Sequence, residues 1–223
     1  LKVLHAGVME GRRTFGNVMK YIMMATSSNF GNMFSMAAST LFLPFLPLLP
    51  LQILLNNLLY DLSEITLPMD NVDEEDLAQP SQWDMNFIRN FMMTIGPISS
   101  IFDFVTFYLL ISVFEADETL FRTGWFVESI ATQVLVIFII RTRRNPLHSH
   151  PNRWLTITSL SIVAIAMLLP ISPMAHYLGF TALPLMFFGL LAVLIITYLL
   201  TVEYCKQWFY KRLNKSRNNP AMP

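Results

Sequence analysis

Six largely apolar runs of roughly 15–23 residues divide this 223-residue chain. A helical run of that length can cross a hydrocarbon layer about 30 Å thick. Hydrophobic residues make up 54% of the chain and charged residues 13%, a balance too apolar for a soluble domain of this size. The sequence therefore predicts an all-α, polytopic transmembrane bundle with six spans, at about 29–43, 51–69, 91–113, 125–140, 154–171 and 182–202.

The distribution of positive charge predicts the orientation of these spans. Six spans place both termini on one side of the membrane, and 14 of the 15 Lys and Arg residues fall on that side. The exception is Arg122. Because positively charged segments stay on the cytosolic side, both termini are expected to be cytosolic. The zero net charge does not suggest a nucleic-acid partner.

The chain divides into four predicted regions. They are a cytosolic stalk (1–28), a two-helix hairpin (29–69), a four-helix supporting bundle (91–202) and a basic cytosolic tail (203–223). The tail also carries aromatic residues, so it is a candidate for contact with anionic lipid, the alternative being an ordinary topogenic anchor. The acidic segment 70–90 is expected to be a solvated loop, and 115–124 a short loop.

Polar side chains inside the second predicted span indicate a cation site. At 100° per residue, Asn57, Tyr60, Asp61 and Glu64 fall within one narrow arc of a helix. A carboxylate near the bilayer midplane costs about 2.5–3.5 kcal/mol, so such a residue usually faces a bundle interior or an aqueous pathway. Asp61 is therefore the leading candidate for a cation ligand, the alternative being a structural carboxylate. Glu64 is predicted to line an access pathway or only to form a hydrogen bond, and Tyr60 is a possible member of the same pathway.

The first span carries small and polar residues that have two interpretations. They share one helical face at spacings of four, three and four residues: Ser28, Asn32, Ser35 and Ser39. Such residues allow close helix packing in membranes. Amide oxygens beside a carboxylate are also what a hard cation such as Mg²⁺ binds. Across the tight hairpin expected at Pro44, Pro47 and Pro50, Asn29 and Asn32 are predicted to join Asn57 and Asp61 in one metal site.

Two further acidic residues lie within predicted spans, and both favour a structural interpretation. Asp103 follows Ser99 and Ser100, which are expected to satisfy it locally. Glu128 lies only three residues into the predicted fourth span, where water is expected to reach it.

The sequence contains no recognisable catalytic motif. It lacks a glycine-rich phosphate loop, a His/Cys metal spacing and a nucleophile elbow, and it has one cysteine. These residues alone predict a cation-conducting bundle without an energy source. The alternative class is a non-enzymatic secondary transporter or channel that uses Asp61 as a relay.

Several motifs resemble those of P-type cation ATPases. The runs EGRRTFGNVMKYI, SSNFGN and LLNNLLYD look like the fifth and sixth transmembrane helices of that family, and RTRRNP looks like the end of the eighth. Together with LPFLPLLP and PMDNVD, they are most similar to the bacterial magnesium-translocating pumps. The resemblance covers nearly the whole chain, which would then comprise helices five to ten and, in residues 1–28, the end of the phosphorylation domain.

The resemblance implies ligands for the transported ion. Asn57 and Asp61 match the sixth-helix Asn and Asp that bind the ion in related pumps, and Asn29 matches a fifth-helix Asn. Asn32 stands where the calcium pump has Glu, and Tyr60 where it has Thr. Fewer carboxylates imply one divalent ion, in agreement with Mg²⁺.

The resemblance also implies parts outside this sequence. In the fourth span, Gln133 occupies the stretch where other pumps place an ion ligand, and is a possible pathway residue. Upstream cytosolic domains would bind ATP with Mg²⁺ and carry the phosphorylated Asp, with residues 12–32 as the mechanical link. The start at Leu1 rather than Met is consistent with such an upstream portion. The expected location is the bacterial inner membrane.

Overall fold

The computed structural model describes residues 2–73, 77 and 83–218, and all regular structure within them is helical. This confirms the all-α class for the described part of the chain. The α-helices are α1 (Lys2–Ser39), α2 (Pro50–Glu64), α3 (Met85–Ser112), α4 (Glu118–Leu135), α5 (Ile137–Ile140), α6 (Arg153–Leu168), α7 (Ala175–Leu178) and α8 (Leu185–Asn218). Short 3₁₀ turns lie at Leu67–Met69, Pro146–His148 and Leu169–Ile171.

Within the described residues, four helical segments are long and apolar enough to cross a membrane. They are Met85–Ser112, Glu118–Ile140, Arg153–Ile171 and Leu185–Leu213. They correspond to the last four predicted spans. The helices of the first two predicted spans differ in length and composition, since α1 is long and mixed and α2 has only 15 residues.

Helix α1 runs without a break from the predicted stalk into the predicted first span, although it ends at Ser39 rather than at 43. Its buried side follows small residues, among them Ser28, Gly31 and Ser35. A Cβ at Gly31 would lie 2.9 Å from the carbonyl oxygen of Gly96 in α3. Because neither glycine has a side chain, α1 packs tightly against α3 along this stripe.

The proline-rich segment separates α1 from α2, as predicted. Pro50 occupies the first turn of α2, where its missing N–H costs nothing, and the Leu49 N–H donates to Gln52 Oε1 at 2.9 Å. Helix α2 ends at Glu64, five residues before the predicted end of the span, and the chain then turns through Leu67–Met69. Its main packing partners are α4 and α6, whereas α1 packs mainly on α3.

Helix α4 lies at the centre of the bundle and contacts α2, α3, α6 and α8. It begins at Glu118 because Asp117 caps it, accepting a hydrogen bond from the Leu120 N–H at 2.8 Å. The predicted loop 115–124 is therefore wrong from Glu118 onward. The expectation that water reaches Glu128 is also wrong, because Glu128 lies ten residues inside α4 and is 1% exposed.

Helix α8 continues through Asn218, well beyond the predicted end of the sixth span at 202. The predicted tail 203–223 is thus helical as far as the structure describes it, and residues 219–223 lie outside the described part. Its apolar side packs against α3, with Phe209 contacting Phe91 at a ring-centroid distance of 5.5 Å.

Candidate cation site and a buried ionic cluster

The polar arc of α2 is divided between two environments. Asn57 and Asp61 are exposed, whereas Tyr60 and Glu64 are 2% and 3% exposed. Asp61 and Asn57 lie on an exposed stripe of α2 that also carries the apolar side chains of Leu54, Leu58 and Ile65. An ionisable side chain on an apolar surface of this kind needs a compensating partner that the described residues do not supply.

Within the described residues, one side-chain hydrogen bond joins α1 to α2, next to the predicted ligands. Tyr60 Oη donates to Ser28 Oγ at 3.1 Å. Asn29 follows Ser28 directly on α1 and is exposed, while Asn32 lies one turn farther and is half-buried.

The four predicted ligands, Asn29, Asn32, Asn57 and Asp61, therefore lie within about one helical turn of the Tyr60–Ser28 bond, along their own helices. Within the described part of the chain, none of these four side chains donates or accepts a hydrogen bond. Their amide and carboxylate oxygens are thus open to a ligand, and oxygen donors are what Mg²⁺ prefers.

The three predicted pathway residues do not lie together on one surface. Tyr60 and Glu64 belong to the inward side of α2, and neither carboxylate oxygen of Glu64 meets a donor among the described residues. The Oδ1 atom of Asn56, one turn before Tyr60, is also buried without a donor there. Gln133 is buried in α4, where its Nε2 donates to Ser129 Oγ. Gln133 is thus engaged within its own helix.

A buried ionic cluster is centred on Asp70, which lies in the segment predicted to be a solvated loop. The carboxylate of Asp70 is completely buried and accepts from Lys20 Nζ at 2.9 Å and from Arg141 Nε at 2.8 Å. It also accepts from the Asn152 backbone N–H at 3.1 Å. The prediction of a solvated loop at 70–90 is therefore wrong at its beginning. Residues 74–76 and 78–82 of that loop lie outside the described part.

The cluster sets the charge state of Asp70. Burial alone would raise its pKa, but the hydrogen bond from Arg141 and the charge of Lys20 outweigh burial, so the pKa of Asp70 lies below its usual value of 3.8. Desolvation also lowers the pKa of Lys20, against the opposing effect of the Asp70 charge. The cluster joins α1, the segment after α2 and the segment after α5.

Further polar contacts extend this support. Asn17 Nδ2 donates to the carbonyls of Pro68 and Asp70 at 2.9 and 3.0 Å. Lys206 Nζ, which is buried in α8, donates to the carbonyls of Ile139, Thr142 and Arg144 at 2.9–3.2 Å. The Ile139 carbonyl lies in the last turn of α5 and the other two follow that helix, where helical partners are lacking. The sequence did carry a signal for the ionic cluster. The motifs PMDNVD and RTRRNP place Asp70 and Arg141 directly after the ends of predicted spans.

Comparison with known proteins confirms the resemblance. A family model described as "Cation transporting ATPase, C-terminus" matches residues 45–208. The chain is similar to "Magnesium-transporting ATPase, P-type 1" of Salmonella typhimurium strain 14028s, with 46% identity over 217 residues, and to the protein of that name from Escherichia coli K12, with 45%. A further protein of that name, from Salmonella typhimurium LT2, is 41% identical over 220 residues.

These matches cover 95–96% of this chain and 24% of each relative, so the chain spans about a quarter of the length of the curated relatives it matches. The family model matches most of the chain, including α2, the first three apolar membrane-length segments and the fourth as far as residue 208. The chain belongs to the cation-transporting ATPase family and corresponds to the C-terminal region of these proteins.

Proposed function

We propose that this chain is the C-terminal membrane part of an ATP-driven P-type pump that transports Mg²⁺ across the bacterial inner membrane. The observation that carries this proposal is the 46% identity, over 95% of the chain, to proteins named magnesium-transporting ATPases. Phosphorylation by ATP, with its own Mg²⁺, would take place in domains outside this sequence.

The oxygen-rich surface beside the Tyr60–Ser28 bond is the proposed ion site. Asn29, Asn32, Asn57 and Asp61 would bind one Mg²⁺ that keeps part of its water shell, since Mg²⁺ dehydrates reluctantly. Further helices of the whole pump would cover the exposed stripe of α2. This cover would account for an exposed carboxylate between leucines. Tyr60 and Glu64 would line the access pathway on the inward side, with Gln133 as a more distant member.

The proposed topology has six spans and two cytosolic termini, with α1 and α2 contributing the first two. The positive charges at both ends support this orientation. Helix α1 would transmit the conformational change from the phosphorylation domain to the ion site, because it is continuous from Lys2 to Ser39. Lys211 and Arg212, exposed near the end of α8, are available for anionic lipid, whereas Lys206 is buried.

Removal of the Asp61 charge tests the proposal. In the full-length pump, Asp61→Asn should reduce Mg²⁺-dependent phosphorylation by ATP to background, because the amide cannot neutralise the ion. The matched control is Glu118→Gln, which removes an exposed carboxylate that pairs only with Arg122 in its own helix. Phosphorylation of the Asp61→Asn protein at the wild-type level and with wild-type Mg²⁺ dependence would refute the assigned site.

A further inference from the structure

Two carboxyl groups meet inside the bundle at a place that the proposed ion site does not use. Asp103 of α3 and Glu128 of α4 are 2% and 1% exposed, and their carboxyl groups lie close enough to interact where the two helices pack together. Trp125, three residues before Glu128, fixes the arrangement by donating its indole N–H to Asp103 Oδ1 at 2.9 Å.

The two carboxyl groups have unequal partners. Asp103 accepts one donor on each oxygen, from Trp125 and from the Ser35 hydroxyl of α1. The prediction that Ser99 and Ser100 satisfy Asp103 is wrong, because the hydroxyls of both serines donate to backbone carbonyls. Neither oxygen of Glu128 meets a donor within the described part of the chain.

The donor nearest in sequence to Glu128 is also committed elsewhere. The Thr132 hydroxyl donates to the backbone carbonyls of Glu128 and Ser129 at 2.9 and 3.1 Å. An ionised carboxylate at this position would be buried without compensation, at a cost of several kcal/mol. A protonated carboxyl at Glu128, by contrast, has a hydrogen to donate and an acceptor within reach, namely Asp103.

No positive charge balances the pair. Within the residues that the structure describes, neither carboxyl forms an ion pair with Lys, Arg or His from α1, α2, α6 or α8. The titratable group that faces them from α8 is Tyr198, which is neutral at physiological pH and packs on Phe102. Two adjacent carboxylates in apolar surroundings cannot both be ionised without a large cost.

The space beside Glu128 is too small and too apolar for a hydrated cation. Glu128 and Thr106 are the polar members of the lining of a cavity of about 10 Å³, whose other walls are leucine and phenylalanine side chains. That volume holds about one water molecule. Mg²⁺ needs six oxygen ligands in an octahedron, so this lining does not fit the metal.

We propose that Asp103 and Glu128 form a proton-binding site in which Glu128 carries one proton and donates it in a hydrogen bond to ionised Asp103. The pair then has one net negative charge, shared among donors from Ser35, Trp125 and Glu128. Because Ser35 lies on α1, a movement of α1 away from α3 would remove one donor from Asp103 and strengthen the hold of the pair on its proton. The site is independent of the proposed Mg²⁺ ligands.

Infrared spectroscopy of the full-length pump in lipid tests the location of the proton. At neutral pH, the carbonyl band of a protonated carboxylic acid is expected, and it should shift when Glu, but not Asp, is labelled with ¹³C. Glu128→Gln should remove this band, whereas Glu118→Gln should keep it. Retention of every protonated-carboxyl band in Glu128→Gln would overturn the proposal, as would a band at this site that shifts only with labelled Asp.

A pair of variants tests whether Glu128 carries the proton and Asp103 accepts it. Glu128→Gln should change the thermal midpoint by less than about 2 °C, because its amide donates to Asp103 as the acid does. Asp103→Asn should lower the midpoint by more, since Ser35 and Trp125 donate to different oxygens of Asp103 and the amide NH₂ would replace one of these acceptors. Equal losses in the two variants would overturn the assignment of the proton to Glu128.

The Mg²⁺ dependence of phosphorylation distinguishes a proton site from a cation site at Glu128. For Glu128→Gln, the Mg²⁺ concentration that gives half-maximal phosphorylation should stay within about twofold of wild type. A shift of about tenfold or more, equivalent to one lost ligand, would identify Glu128 as a cation ligand and overturn the proposal.

Discussion

At the scale of single residues, two aspartates with the same side chain have opposite environments. Asp70 is buried against two cations and a backbone N–H, so its charge is fully compensated. Asp61 is exposed on an apolar stripe, without a side-chain hydrogen bond in the described part of the chain. The first arrangement is structural, since nothing remains for a ligand to satisfy. The second leaves a charge that only an added partner can compensate.

Replacing Asp70 should destabilise the protein in a pH-dependent manner. Asp70→Asn leaves Lys20 and Arg141 buried without their counter-charge, which should cost about 3 kcal/mol at pH 7. The pKa of Asp70 is lowered on folding, so its contribution is present at pH values above 3.8 and is lost as the pH falls through the folded-state pKa. Free energies of unfolding from denaturant titrations should therefore differ between wild type and variant at pH 7 and converge at acidic pH. A difference that persists unchanged in acid would contradict this role.

Replacing Asn32 should weaken ion binding without loss of the fold. In the full-length pump, Asn32→Ala removes one oxygen ligand, so the Mg²⁺ concentration for half-maximal phosphorylation should rise about tenfold. Ser39→Ala on the same helix is the matched control, because the Ser39 hydroxyl donates only to the carbonyl of Met36 in α1. If both variants retain wild-type Mg²⁺ dependence, Asn32 serves helix packing instead.

At the scale of elements, the contact between α1 and α3 depends on two glycines that face each other. A Cβ at Gly31 would meet the Gly96 carbonyl at 2.9 Å, and a Cβ at Gly96 would meet the Phe30 ring at 2.7 Å. The hydrogen bond from Ser100 Oγ to the Gly31 carbonyl, at 3.0 Å, depends on this close approach. The small-residue stripe of α1 is thus used mainly for packing, while its neighbours Asn29 and Asn32 remain available.

Enlarging Gly31 should weaken this contact. Gly31→Ala should lower the free energy of unfolding by about 1–3 kcal/mol, because backbone atoms of α3 cannot move aside as a flexible side chain can. Gly189→Ala is the control, since a Cβ there meets no atom within 4 Å and alanine favours the α8 helix. Thermal unfolding of the two variants in the same lipid should separate them. Equal stability would show that the helices separate at little cost.

At the scale of the whole molecule, the helix bundle has a buried central helix and an apolar outer surface on α2 that no other described helix covers. Helix α4 is surrounded by α2, α3, α6 and α8, and its buried residues include Trp125 and Phe126. The leucine stripe of α2, in contrast, faces outward beside the proposed ion site. A chain that spans about a quarter of its relatives is expected to present such a surface to the rest of the pump.

Labelling of single cysteines tests the proposed topology. In a Cys205→Ala background, Glu118→Cys should react with an impermeant maleimide applied to intact spheroplasts, because the start of α4 is expected on the outer side. Glu10→Cys should react only after permeabilisation. Both side chains are more than half exposed in the structure, so access to the reagent depends on the side of the membrane. Labelling of position 10 in intact cells would refute cytosolic termini.

The sequence alone determined the helical class, the proline-rich break before α2 and the family, because apolar run lengths, prolines and ordered motifs are local properties of the chain. It placed Asp61 and Asn57 on one helix correctly but could not separate them from the buried Tyr60 and Glu64. Only the tertiary structure decided that Asp70 meets Lys20 and Arg141, and that Glu128 lies against Asp103 instead of water. The two contacts of Asp70 join residues 50 and 71 positions apart, and Asp103 and Glu128 are 25 positions apart. Periodicity along one helix cannot reveal which neighbouring helix will bring a donor, a cation or a second carboxyl to a buried side chain, because packing between helices decides it.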